Sequence, residues 1–206
     1  MFKKFFWYTL TFFLYASAEL IELTKINKTF VLDVRYATTN NFTGKKVYQS
    51  ARCFLQKEAA NALNDVQQEL AQQNLGLKIF DAYRPLSVQK IFWEIYPDEN
   101  YVADPKKGSR HNRGCAVDLT LIDLKTKEEL VMPSGFDDFS KKTTRDYDHM
   151  TPEARENCKL LENIMQKHGF RGLPSEWWHF DFVGSNPNQE AWREYPVSDI
   201  AIETLA

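Results

Sequence analysis

The sequence predicts one domain that mixes helices with strands, and three observations predict it. Its 206 residues, 43% of them hydrophobic and 26% charged, suit a single globular core. Apolar residues recur at helical spacing in three stretches. Four others alternate or run apolar over the length of a strand.

The chain opens with Lys3 and Lys4, an apolar run from Phe5 to Tyr15, and the small residues Ala16-Ser17-Ala18. That order is the pattern of a secretory signal peptide covering residues 1–18, cleaved after Ala18, with the domain in 19–206. A membrane anchor is the other reading, but the run is shorter than the ~20 residues that span a bilayer. No cysteine follows it, which argues against lipoprotein processing. An exported, periplasmic location is therefore the expectation. Export draws attention to Cys53, Cys115 and Cys158, an odd number that leaves at least one unpaired. Cys115 falls inside the motif described below, so Cys53 with Cys158 is the one pairing to consider.

The first segment after the leader, through Phe30, Leu32 and Val34, reads as a strand entering the core. Residues 39–55 carry Asn-Asn and Thr-Gly turn signals and read as a loop that closes over something or wraps an edge. Ala59, Leu63, Val66 and Leu70 then mark an amphipathic helix. LKIFDAY reads as a buried strand ending at Arg84-Pro85, and Pro85 starts a second helix through SVQKIFWEIY. After a polar, turn-rich stretch, CAVDLTLIDL reads as a central strand. Thr151-Pro152-Glu153 opens a third helix, with Thr151 as N-cap and a stop at Gly169. His168 in its last turn suits the helix dipole and His149 reads as exposed. PSEWWHFDFVG reads as a final strand.

A net charge of −2 with no basic run beyond the leader excludes a nucleic-acid or anionic-membrane partner as the first choice and favours a small substrate. Two motifs carry chemistry. In SRHNRGCAVD, His111 and Asp118 stand seven residues apart, and Asp118 intrudes among apolar neighbours. A carboxylate there is expensive to bury unless paired or bound to a metal. In EWWHF, Glu176 precedes His179 by three residues. His111, Asp118 and His179 form a two-histidine, one-carboxylate set suited to zinc with one position open, and Glu176 is placed to act as a base on a water. A straight strand would put Glu176 and His179 on opposite faces, so the segment must twist or begin as a turn. Arg84, at a strand end, is the best second electrophile for a carbonyl oxygen, or a salt-bridged surface arginine, and Asp81 is either its partner or simply a cap of the loop. Asp137 could hold a cation at a pocket rim or be a solvated loop carboxylate.

SRHNRGCAVDLTL and EWWHF resemble the SxHxxGxAxD and ExxH signatures of the D-alanyl-D-alanine metallopeptidases, and most closely those of the dipeptidases. VRYATTNNFTG, DAYRP and GFDDF are similar in order and approximate spacing, so the resemblance runs from about Val31 to Phe182. It implies a compact α+β domain with an antiparallel sheet and a small closed pocket. Zinc would sit on His111, Asp118 and His179, with Glu176 as base and Arg84 on the oxyanion. Asp137 would receive the dipeptide's ammonium, with Ser109, Tyr36 and Tyr48 around the substrate. Cys115 stands where the resemblance leads one to expect a small residue such as serine. The expected activity is hydrolysis of D-Ala-D-Ala. A carboxypeptidase or endopeptidase acting on peptidoglycan stems and a non-catalytic, zinc-bearing wall-binding module are the alternatives. Glu176 and Arg84 argue against the last, because binding zinc needs neither.

Overall fold

The computed structural model describes residues 19–186, 188 and 190–206; the expected signal peptide lies outside them. The elements in chain order are β1 (Leu20–Glu22), α1 (Leu23–Ile26), β2 (Val31–Leu32), β3 (Phe54–Gln56), α2 (Lys57–Ala71), β4 (Leu75–Asp81), α3 (Leu86–Ile95), β5 (Ala116–Asp123), α4 (Pro152–Lys167), β6 (Phe170–Leu173) and β7 (Glu176–Phe182). A five-stranded sheet in the order β2-β4-β5-β7-β6 forms the centre, and β1 pairs with β3 in a separate two-stranded ladder. The α+β class holds, with one refinement: β2 joins β4 in parallel, so the sheet is antiparallel only from β4 to β6.

The three longer helices, α2 to α4, follow from their sequences. In α2, Ala59, Leu63, Val66 and Leu70 are all fully buried. Pro85 directly precedes α3, and Thr151 Oγ1 accepts from the Ala154 N–H at the start of α4, with Pro152 in the first turn. Helices α2 and α4 touch the sheet and each other. Across the β4–β5 ladder Leu77 faces Leu121 and Ile79 faces Leu119, all four without exposed surface. The period of two then puts Asp118 on the other face from Val117 and Leu119. Asp118 thus faces the site, around which the buried aromatics Tyr36, Phe92 and Trp178 continue the core.

The segment read as one N-terminal strand is three pieces, because β1 is recruited by β3 and β2 by β4, with a helical turn between. All three cysteines are free, so the Cys53–Cys158 pair is not formed; Cys53 and Cys115 are buried. Among the described residues no helix is long and apolar enough to cross a membrane.

Candidate metal centre and active site

The site is a row across three adjacent strands. Asp81 of β4 lies opposite Asp118 of β5, and Asp118 lies opposite His179 of β7. His111 arrives from a turn, His111–Arg113, that ends at Gly114 with φ of 68°. The left-handed backbone there favours glycine, and a Cβ would also meet Leu20 Cδ2 at 2.6 Å.

The donor atoms of His111, Asp118 and His179 converge. Nε2 of His111 is 3.2 Å from Nδ1 of His179 and 3.4 Å from Asp118 Oδ1, and His179 Nδ1 is 2.9 Å from the same oxygen. Zinc bonds of ~2.0–2.1 Å in a tetrahedron place neighbouring donors about 3.3–3.4 Å apart. The observed separations are close to those edges, and the other ring nitrogens are committed elsewhere. Nδ1 of His111 donates to the Ala82 carbonyl at 2.7 Å, which leaves Nε2 as the donor to a metal. His179 Nε2 faces Asp181 Oδ1 at 3.0 Å, which leaves Nδ1. Such outer partners fix tautomer and ring orientation.

Charge demands a cation at the same point. Asp81, Asp118, Asp137, Glu176 and Asp181 crowd the site, against the guanidinium groups of Arg84 and Arg110. Burial opposes a charge on His179, yet its hydrogen bonds to Asp118 and Asp181 push its pKa up to about 10. Burial likewise opposes the Asp118 charge, and the two imidazoles outweigh it and hold its pKa well below the carboxylate range. Cys115, although inside the motif, stands outside this cluster, its Sγ directed at the Arg113 carbonyl.

Glu176 Oε2 lies 3.9 Å from His179 Nδ1, so the two share one side after all. The cause is an irregularity in the β6–β7 ladder: Gly172 pairs with Phe180, but the next residue, Leu173, pairs with Glu176. The extra residues absorb the odd spacing of the ExxH motif, as bulges beside active sites commonly do. Arg145 braces this distortion. Its Nε donates to the Leu173 carbonyl at 2.9 Å, its Nη2 to the His179 carbonyl at 2.9 Å, and its guanidinium lies over the Phe180 ring. It can cross there because residue 172 is glycine: a Cβ would come within 2.3 Å of the guanidinium carbon. Burial pushes the Glu176 pKa up to about 7, with His179 opposing and the Asp118 charge adding.

These groups line a cavity of about 170 Å³, below the ~300–1,000 Å³ of sites that take drug-sized ligands. Its walls include Tyr36, Arg84, Ser109, Asp137 and Trp178, and its aromatic cover draws Phe42 from the turn-rich loop, Tyr101 and Phe139 together. That loop does close over something. The Ser109 hydroxyl accepts from the His111 N–H at 3.2 Å, which leaves its own proton to donate. Asp137 has a positive φ of 57°, uncommon outside glycine, and its carboxylate accepts from the Tyr36 hydroxyl at 3.1 Å. Burial, then the Asp118 charge, push its pKa up to about 8, so this carboxylate lacks a cation.

Arg84 is buried, its Nε and Nη2 on Asp81 Oδ2 at 3.0 and 2.7 Å, and it is no surface arginine. Tyr48 is the residue that the structure moves. It is absent from the cavity wall, and its hydroxyl donates to Asp81 Oδ1 at 2.8 Å, supporting Arg84 instead of touching a substrate. Its position follows from the pull of a buried carboxylate, which the loop sequence does not reveal. His149 is exposed and His168 faces Glu69 at 2.8 Å, so neither joins the centre.

Sequence reasoning did not single out Asp181, Arg145 or Gln89 as site residues. For Asp181 a signal existed: two residues beyond His179 on an apolar strand, it must share that histidine's face. Arg145 and Gln89 carried none, because their partners are backbone groups and side chains brought in by the fold.

A family model described as D-ala-D-ala dipeptidase matches residues 16–198. The D-alanyl-D-alanine dipeptidase of Escherichia coli is 41% identical over 165 residues, covering 80% of this chain and 85% of that one. Dipeptidases of the same name from Enterococcus faecalis and Enterococcus faecium are 32% and 31% identical over 186 and 185 residues, covering 81% and 80% of this chain and 92% and 91% of theirs.

Proposed function

Since the chain belongs to the D-Ala-D-Ala dipeptidase family, we propose that it is a zinc peptidase that hydrolyses D-alanyl-D-alanine to two molecules of D-alanine. One observation carries this reading: a cavity of about 170 Å³ in which the three-donor metal set, a buried carboxylate with raised pKa, a buried arginine and an uncompensated carboxylate all face one another. A space that small suits a dipeptide and is an argument against a stem peptide running through it.

His111, Asp118 and His179 would hold zinc, which when bound would acidify a water and polarise a carbonyl oxygen. Glu176 is not needed as a ligand and lies beside the set. It takes the proton of the attacking water and returns it to the leaving amine, so that one carboxylate serves as base and then as acid. Arg84 donates to the carbonyl oxygen as negative charge grows there. At the far wall, Asp137 with Tyr36 takes the substrate ammonium, which supplies the cation that carboxylate lacks, while Ser109 offers a hydroxyl proton to a substrate oxygen.

The leader pattern of Lys3, Lys4, the apolar run and Ala16-Ser17-Ala18 supports export to the periplasm. Cleavage after Ala18, checked by N-terminal sequencing of the mature protein, is the expected outcome. The function is tested by D-alanine release from D-Ala-D-Ala by residues 19–206 with zinc and with chelator. Chelator-sensitive release, absent with L-Ala-L-Ala and weak with stem pentapeptide, is expected. Faster release from the pentapeptide would overturn the dipeptidase reading in favour of a carboxypeptidase.

A further inference from the structure

Gln89 is a polar residue with no exposed surface, set between Val88 and the fully packed Phe92 turn of α3. A buried amide must spend both ends on partners. Its Oε1 accepts from Arg84 Nη1 at 2.8 Å, and its Nε2 donates to the Ala103 carbonyl at 2.8 Å.

The partners matter because of what they leave over. A guanidinium has five N–H donors. In Arg84, Nε and one Nη2 hydrogen are held by Asp81 Oδ2, and one Nη1 hydrogen by Gln89. One N–H on each terminal nitrogen makes no hydrogen bond within the protein, Nη2 standing 4.0 Å from the ligand carboxylate oxygen Asp118 Oδ2, in a side chain that lines the cavity beside the rings of Phe92 and Tyr36. Asp81 holds the group through a single oxygen, about which it could pivot; Gln89 is the second anchor that stops the pivot. The same amide reaches the cavity cover, since Ala103 follows Tyr101 and Val102 in the wall.

We propose that Gln89 is a positioning residue: it fixes the Arg84 guanidinium with two unspent N–H groups available to the substrate carbonyl, and ties that orientation to the cover segment through Ala103. This rests on the dipeptidase reading and on Arg84 as its electrophile.

The test is a double-mutant cycle on D-Ala-D-Ala turnover with Gln89→Leu, Arg84→Ala and both together, each checked for zinc content and melting temperature. Losing one oxyanion donor costs about 10²–10³ in kcat, so misplacing it should cost about 10–10². Gln89→Leu is expected to lower kcat by that factor with zinc content unchanged, and to cost nothing further in the Arg84→Ala background. Equal losses in both backgrounds, or a folded Gln89→Leu protein with kcat within twofold of wild type, would overturn the proposal. Should Gln89→Leu not fold, Gln89→Glu decides. It keeps an acceptor for Arg84 and sets a carboxylate against the Ala103 carbonyl, so kcat should hold while KM rises. A collapse of kcat to the Arg84→Ala level, or no change in either constant, would overturn it. A wild-type protein without turnover would refute the parent reading, whereas an active wild type indifferent to Gln89 refutes this one alone.

Discussion

Replacing Arg145 by methionine tests whether the distorted start of β7 is what makes the ExxH spacing productive. The substitution keeps an unbranched apolar stem and removes two charge-assisted hydrogen bonds, to the carbonyls of Leu173 and His179, together with the contact over Phe180. Each such bond is worth about 1.5–3 kcal/mol. Part of that is returned, because burial disfavours the arginine charge, lowering its pKa, and its nearest carboxylate, Glu162, is 4.0 Å away. A net loss of about 2–4 kcal/mol follows, which for a domain of this size is a fall in melting temperature of about 4–16 °C. The catalytic effect should be larger than stability alone accounts for. If β7 relaxes toward a regular ladder, alternation turns Glu176 away from His179, and the loss approaches the 10²–10⁴-fold typical of removing a general acid-base group. Scanning calorimetry and D-alanine release on the zinc-loaded variant measure both. A variant with kcat within twofold of wild type and an unchanged melting temperature would refute the bracing role, and with it the account of why a carboxylate three residues before a ligand reaches it.

Other outcomes follow from the same geometry. Glu176→Ala should keep zinc and lose turnover, whereas His179→Ala should lose both, as read by metal analysis beside D-alanine release. Asp181→Ala frees the outer nitrogen of His179 and should weaken zinc about 10–100-fold in a chelator competition while leaving the three ligands in place. For pH, the active form of Glu176 is the ionised one, and its pKa is raised to about 7. kcat/KM should therefore fall as pH drops through the Glu176 value, and zinc, being positive, places that acid limb at or below pH 7. An acid limb that survives unchanged in Glu176→Gln, measured on its residual activity, would reassign it.

What could be read from the sequence was whatever rests on local periodicity or on the cost of burying charge. The helices α2, α3 and α4 announce themselves by apolar spacing and, in α4, by Thr151 and Pro152. Asp118 stood out because a carboxylate in an apolar strand needs a partner, and it is 3% exposed beside two imidazoles. The losses are tertiary. β3, within the stretch read as a loop, and β6 are only three and four residues long and exist through pairing with β1 and β7. The parallel β2–β4 contact spans two residue pairs and joins segments over forty residues apart, which no short pattern encodes. Tyr48 was legible as an aromatic near a pocket, but its choice of Asp81 over a substrate depends on where β4 places that carboxylate.

The two ladder irregularities explain why strand periodicity alone misreads this centre. One falls between Ile79 and Asp81 in the β4–β5 pairing, the other between Gly172 and Leu173 in β6–β7. They flank the row of Asp81, Asp118 and His179 on either side. Without the first, Asp81 would fall on the face opposite its present one and Arg84 would lose the oxygen that holds two of its donors. Without the second, the base and the ligand would part. A regular sheet can line up one ligand per strand, but a base and an electrophile beside the metal require side chains out of phase with the pleat. Each departure has its own brace, Tyr48 and the Ala82 N–H on Asp81, and Arg145 over Gly172. The residues that touch no substrate thus decide whether the motif works as a motif. A chain carrying His111, Asp118, Glu176 and His179 at the right spacing but lacking these braces should still bind metal, read by metal analysis, yet turn over little.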